Sequence, residues 1–141
     1  MFLYRMEPTY PDFKFQLAAV EGDQSAILSA ITFGAFAQGI TLNAFSVRQA
    51  RHAYGLMNLI EGTPNALPTV LLNDIANSPS GFRRCYDVCM QQKIPVAPVS
   101  FAILNKVDKT DAARLAVDAL LPPTMKTLWL LYLDDFGLGA K

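Results

Sequence analysis

One histidine and two cysteines in 141 residues leave little nucleophilic or metal-binding chemistry to draw on. Cys85 and Cys89 lie four apart, the spacing of neighbours on one helical face. A disulfide inside one helix is geometrically awkward, and this CxxxC pair has no further Cys or His with which to complete a zinc shell. They read as buried thiols of a reducing cytoplasm. The lone His52 stands between Arg51 and Ala53 with no Ser, Cys or Asp beside it, so it reads as a helix residue at or near the surface and not as a general base. Excess charge of one sign is missing too: twelve basic and twelve acidic residues give a formal net charge of zero, so no whole-molecule field favours a polyanion. Long hydrophobic runs are absent. The longest, Leu128 to Leu133, is six residues, against roughly twenty for a membrane-spanning helix. Met1 to Arg5, followed by Pro8, lacks the apolar core of a signal peptide, so neither secretion nor a membrane is expected. Gly34 to Gly39 carries neither GxGxxG nor a terminal Gly-Lys-Ser/Thr, which argues against nucleotide binding, and no cofactor is expected.

What the chain has is apolar material, 52% of its residues. Its length predicts a single α/β domain over 1–141, with 124–141 a C-terminal packing element that could stand apart. So much apolar surface in so small a chain also predicts a homodimer, and the run Leu128, Trp129, Leu131 and Tyr132 is the candidate interface, with core packing as its simpler reading.

Helix and strand signals alternate along the sequence. Phe2–Met6 reads as a first strand. Pro11–Val20 reads as a helical turn with Phe13, Leu17 and Val20 on one side. Gly22-Asp23 opens a helix that Gly39 closes. Ile40–Phe45 reads as a strand, and Ser46 as the cap of a helix running to about Ile60 with Gly62 as its stop. Thr69–Leu72 is a short buried strand. Ser78-Pro79, a capping hydroxyl before a first-turn proline, starts a helix to about Gln92. Pro95 and Pro98 lack a ladder donor and delay the next strand until about Val99–Leu104. Thr110 opens a last helix that Pro122-Pro123 stops. The alternation predicts an α/β layer structure with a small sheet of about four strands.

Tyr132-Leu133-Asp134-Asp135 looks like the YxDD motif of reverse transcriptases, whose aspartates hold two divalent cations on a tight hairpin. Only Asp134 and Asp135 match. No upstream strand carries the further aspartate such a site needs, Asp74 after Val70-Leu71-Leu72-Asn73 coming closest, and only six residues follow Asp135. A solvated strand end is the simpler reading, and a metal-dependent nucleotidyl-transfer fragment the remoter one. Arg48 and Arg51 share a helix face, and Arg83-Arg84 lie on the next predicted helix. These four are the candidate phosphate contacts for RNA, against the plainer reading of solvated charge.

Leu3-Tyr4 with Pro8, Leu67-Pro68-Thr69-Val70-Leu71-Leu72, and the basic-aromatic stretch Arg83–Met90 together resemble the small packaging and assembly protein of cystoviruses, phages with segmented double-stranded RNA genomes. The likeness spans roughly residues 1 to 105. It implies an α/β homodimer of the viral polymerase complex that helps assemble the inner capsid and package genome precursors. The expected role is therefore a non-enzymatic assembly factor in the virion interior and host cytoplasm, with viral capsid or polymerase proteins as partners. A dimeric phage morphogenesis adaptor or chaperone that binds only protein is the alternative.

Overall fold

The computed structural model describes residues 14–49, 58–75, 80–105, 122, 124–132 and 136. Their elements are β1 (Gln16–Val20), α1 (Asp23–Ala37), β2 (Ala44–Val47), β3 (Ile60–Glu61), β4 (Thr69–Ile75), α2 (Ser80–Gln91), β5 (Val96–Asn105) and β6 (Lys126–Tyr132). The α/β class is as expected, but the sheet has six strands among the described residues, in the order β3-β2-β1-β4-β5-β6. All pairings are parallel except that of β2 with the short edge strand β3.

The strand order explains the burial. β1 sits between β2 and β4, and every one of its residues is buried. Leu17 and Ala19 face a core formed with Leu28 of α1, Val70, Leu72 and Phe101, while Ala18 and Val20 face a second core with Phe82, Cys85, Val88 and Cys89 of α2. The helices therefore cover opposite faces. A central parallel strand buried on both sides has no polar alternation to show, which is why Pro11–Val20 reads as helix in sequence.

Gly39 ends α1 as expected. Its φ is 77°, its N–H donates to the Phe36 carbonyl, and the Ile40 N–H reaches back to Ala35, the two bonds of a Schellman stop. Ser46 caps no helix: it lies in β2, between buried Phe45 and Val47. The proposed helix beyond it falls mostly outside the described residues, as does His52, and its expected end at Ile60 is β3. β5 begins at Val96, earlier than the prolines suggested, because the pairing with β4 jumps from Thr69↔Val96 to Leu71↔Ser100 and Pro98 sits in that irregularity. Lys126–Tyr132 is a strand of the same sheet, hydrogen-bonded to β5. The first strand expected at Phe2–Met6 and the helix from Thr110 lie outside the described residues.

At the N-terminal edge, Gln16 locks the connections. Its Nε2 lies 3.0 Å from the Asn65 carbonyl, 2.9 Å from that of Leu67 and 3.2 Å from Thr69 Oγ1. Its Oε1 accepts from Asn43 Nδ2 and from the Asn65 N–H, both at 2.9 Å.

Candidate functional site

Two crossovers leave the middle of the sheet in opposite directions: β1 through α1 to β2, and β4 through α2 to β5. The carboxyl ends of adjacent β1 and β4 thus diverge into helices on opposite faces, the switch point at which doubly wound sheets open a ligand crevice. At this point β1 runs into Glu21-Gly22, and Asn73 and Asp74 stand in the last residues of β4.

The turn after β1 needs glycine. Gly22 has φ 110° and ψ −137° at the N-cap of α1, and no side chain caps that terminus. Gln24, in the first turn, bridges the crevice. Its Oε1 accepts from the Val20 N–H at 3.1 Å, and its Nε2 donates to Asn73 Oδ1 at 2.6 Å and reaches Asp74 Oδ1 at 3.4 Å. Asn73, 3% exposed, also accepts from the Asp74 N–H at 3.0 Å. Asp74 itself is half-buried, and its carboxylate, at the mouth of the crevice, faces the neutral amide of Gln24. Gly81, in the first turn of α2, lies against the Gln24 and Asn73 amides. Two helix N-termini and one carboxylate meet here, a set of donors for phosphate oxygens beside an acceptor for hydroxyls.

The expected basic residues lie along the same edge on the α2 side. Arg48 follows β2 directly and is 3.7 Å from Glu61, and its Nε is buried without a hydrogen-bond partner. Arg84 donates from Nε and Nη2 to the Arg48 carbonyl at 3.2 and 3.1 Å, so these two are brought together. Arg83 turns to Asp87 at 2.9 Å, an exposed i,i+4 pair. Arg51 lies outside the described residues, as do Asp134 and Asp135. The strand leading to that aspartate pair runs parallel to its described neighbour β5, unlike a reverse-transcriptase hairpin. Leu128 and Leu131 are half-buried against the α1-side core. Trp129 and Tyr132 take their places in β6 opposite Ala102 and Asn105.

Sequence reasoning missed Gln24 and Asn73, and noted Asp74 only as a strand end. The available signal was a short apolar strand followed by Asn-Asp, a Ser/Gly-containing stretch and a helix.

The chain matches no protein-family model and no curated protein sequence. Solved structures do match it. A phosphoribosyltransferase from Corynebacterium diphtheriae superposes at a TM-score of 0.70 with 17% identity, over 96% of this chain and 74% of that one. Orotate phosphoribosyltransferase from Mycobacterium tuberculosis, in complex with 5-phospho-α-D-ribosyl 1-diphosphate, gives 0.68 at 19% identity, over 98% and 72%. Adenine phosphoribosyltransferase from Saccharomyces cerevisiae gives 0.66 at 15% identity, over 92% and 74%. These matches overturn the expected resemblance to a cystovirus packaging protein, and with it the viral assembly role, the phage-adaptor alternative, the nucleotidyl-transfer fragment and the virion interior as a location. The expectation of a non-enzymatic chain falls with them, because the proteins that share its architecture are enzymes. The misreading has a physical root: a few shared apolar and basic stretches carry no information on strand order, which is what distinguishes this sheet. The chain has the fold of the phosphoribosyltransferases.

Proposed function

We propose that the chain binds a phosphoribosyl diphosphate in the β1/β4 crevice and transfers the phosphoribosyl group to a nitrogenous base. The observation that carries this reading is the meeting of two strand–turn–helix units at one switch point, with Asp74 at its mouth, in a fold whose Mycobacterium tuberculosis counterpart holds that diphosphate ester. The Asp74 carboxylate accepts hydrogen bonds from ribose hydroxyls, the role acidic residues play beside such crevices. Phosphate oxygens face the first turns of α1 and α2, where backbone N–H groups and the helix dipole favour negative charge. Arg48, with its unpartnered Nε, and Arg84 raise the positive potential on the α2 side of the rim, where a diphosphate leaving group gains most. In the transfer, a ring nitrogen of the base forms a bond to the ribose C1 atom. The C1–O bond to the diphosphate breaks, its electron pair leaves with the diphosphate, and the proton displaced from that ring nitrogen passes to solvent.

Titration calorimetry with 5-phospho-α-D-ribosyl 1-diphosphate, followed by diphosphate release in the presence of a panel of purine and pyrimidine bases, tests the proposal. Binding is expected for the unmodified chain and is weakened at least about tenfold in Asp74→Asn, the scale of losing a charge-assisted hydrogen bond. Absence of binding at millimolar ligand, together with no diphosphate released for any base, contradicts it.

A further inference from the structure

Arg48 is held firmly through its main chain and loosely through its side chain. Its N–H donates to the Leu59 carbonyl at 2.9 Å, and its carbonyl accepts from Arg84 Nε and Nη2 at 3.2 and 3.1 Å. The N–H of the same peptide group, that of Gln49, donates to Glu21 Oε1 at 3.1 Å, and the Gln49 side-chain amide reaches the Glu21 carbonyl at 3.4 Å. One peptide group is thus gripped at its oxygen by α2 and at its N–H by the turn after β1. The guanidinium has no such support. Its ion pair with Glu61 is long at 3.7 Å and made to a side chain 64% exposed, a kind of contact that solvent leaves with little strength. Its Nε meanwhile is buried with no acceptor among the described residues. A buried unpaired donor destabilises by more than such an ion pair stabilises.

We infer that Glu61 is an internal competitor for Arg48: it keeps the guanidinium beside β3 in the absence of ligand and yields it to phosphate oxygens that enter the β1/β4 crevice. The reach is short. Val47 pairs with Val20, so Arg48 leaves β2 beside the turn after β1, one strand spacing or about 4.8 Å across. Because the peptide on its carboxyl side is clamped, only side-chain torsions have to change. A phosphate also offers what Glu61 does not. Its several oxygens can take Nε and Nη2 together as a planar fork, whereas the contact with Glu61 runs through Nη2. The affinity of the rim for an anion is therefore set by a difference, the new contact less the one given up, and Glu61 lowers it.

The ligand in this inference rests on the phosphoribosyl reading, so the test uses inorganic diphosphate and scores each protein separately. Titration calorimetry at low salt compares the full chain with Glu61→Gln, Arg48→Met and the double variant. Glu61→Gln is expected to bind diphosphate about two- to fivefold more tightly, the scale of one exposed ion pair, with an unchanged melting temperature. Arg48→Met is expected to bind more weakly, and in that background Glu61→Gln is expected to bring no gain. This last arm separates competition for Arg48 from the mere removal of a nearby negative charge, which raises anion affinity in either background. Native affinity in Glu61→Gln overturns the inference, as does a gain of the same size with and without Arg48, and either result leaves the phosphoribosyl reading standing. No binding of diphosphate by any of the four proteins overturns the inference together with the diphosphate half of that reading.

Discussion

Gln16 and Gln24 stand at opposite ends of β1 and do different work. Gln16 is fully buried, and its amide meets partners from the residues before β2, the 63–67 connection and β4. Gln16→Leu leaves those buried groups unpaired, and a loss of about 2–4 kcal/mol in urea unfolding is expected, with ligand affinity little changed. Gln24 is only partly buried and holds Asn73 and Asp74 in place. Gln24→Ala should cost about 1 kcal/mol of stability and act mainly on binding of the phosphoribosyl diphosphate, through a carboxylate no longer held in position. The two buried thiols give a separate, pH-dependent signature. Burial, and secondarily the neighbouring Cys89, push the Cys85 thiol far above its ordinary value, and burial pushes Cys89 up to about 12. The fold thus disfavours both thiolates. The unfolded chain loses these protons first as pH rises past about 9, so the stability they carry is full below that pH and falls by roughly 1.4 kcal/mol per unit per thiol up to about 12. Guanidinium melts of the native chain and of Cys85→Ala/Cys89→Ala between pH 8 and 11 check this, the variant showing the shallower decline.

At the scale of elements, α2 ends on a strained residue. Lys93 has φ 57°, its N–H donates to the Met90 carbonyl, and the Ile94 N–H reaches Cys89, so a lysine occupies the left-handed position of a Schellman stop that normally takes glycine. Lys93→Gly should raise stability by about 1 kcal/mol, read as a shift in denaturation midpoint at unchanged slope. The two helices were the most legible part of the sequence, because their signals are local: Gly39 stops α1, and the apolar Phe82, Cys85, Val88 and Cys89 fall on one face of α2, whose expected start at Ser78-Pro79 lies outside the described residues. β4 was legible as well, as a short apolar run. β1 was not, since Gln16-Leu17-Ala18-Ala19-Val20 has neither alternation nor a β-branched residue before Val20, and its identity as a strand comes from being covered on both faces. Ser46 misled for the opposite reason. A serine before Val-Arg-Gln has the chemistry of a helix cap, but here it is a strand residue between two buried side chains.

On the scale of the whole molecule, the candidate site is a property of connectivity rather than of any segment. Gln24 and Asn73 are 49 residues apart and meet only because β4 lies beside β1 instead of beside β3. No linear pattern reports that order, which is why a strand-ending Asp74 could be seen in the sequence without the crevice to which it belongs. The same arrangement makes ligand binding a test of the assembled sheet. A molecule that bridges the ends of β1 and β4 binds the folded chain and not the unfolded one. Saturation to 100 times its dissociation constant should then add about 2.7 kcal/mol, a rise in melting temperature of roughly 9 °C for a chain of this size. Diphosphate alone and ribose 5-phosphate alone each engage part of the proposed site, so each should give a smaller rise than the intact diphosphate ester. Asp74→Asn should cut the response to ribose 5-phosphate, whose hydroxyls it holds, while leaving that to diphosphate, which depends on the helix termini and on Arg48 and Arg84. Equal loss of both responses would mean that Asp74 supports the crevice as a whole and does not contact the ribose.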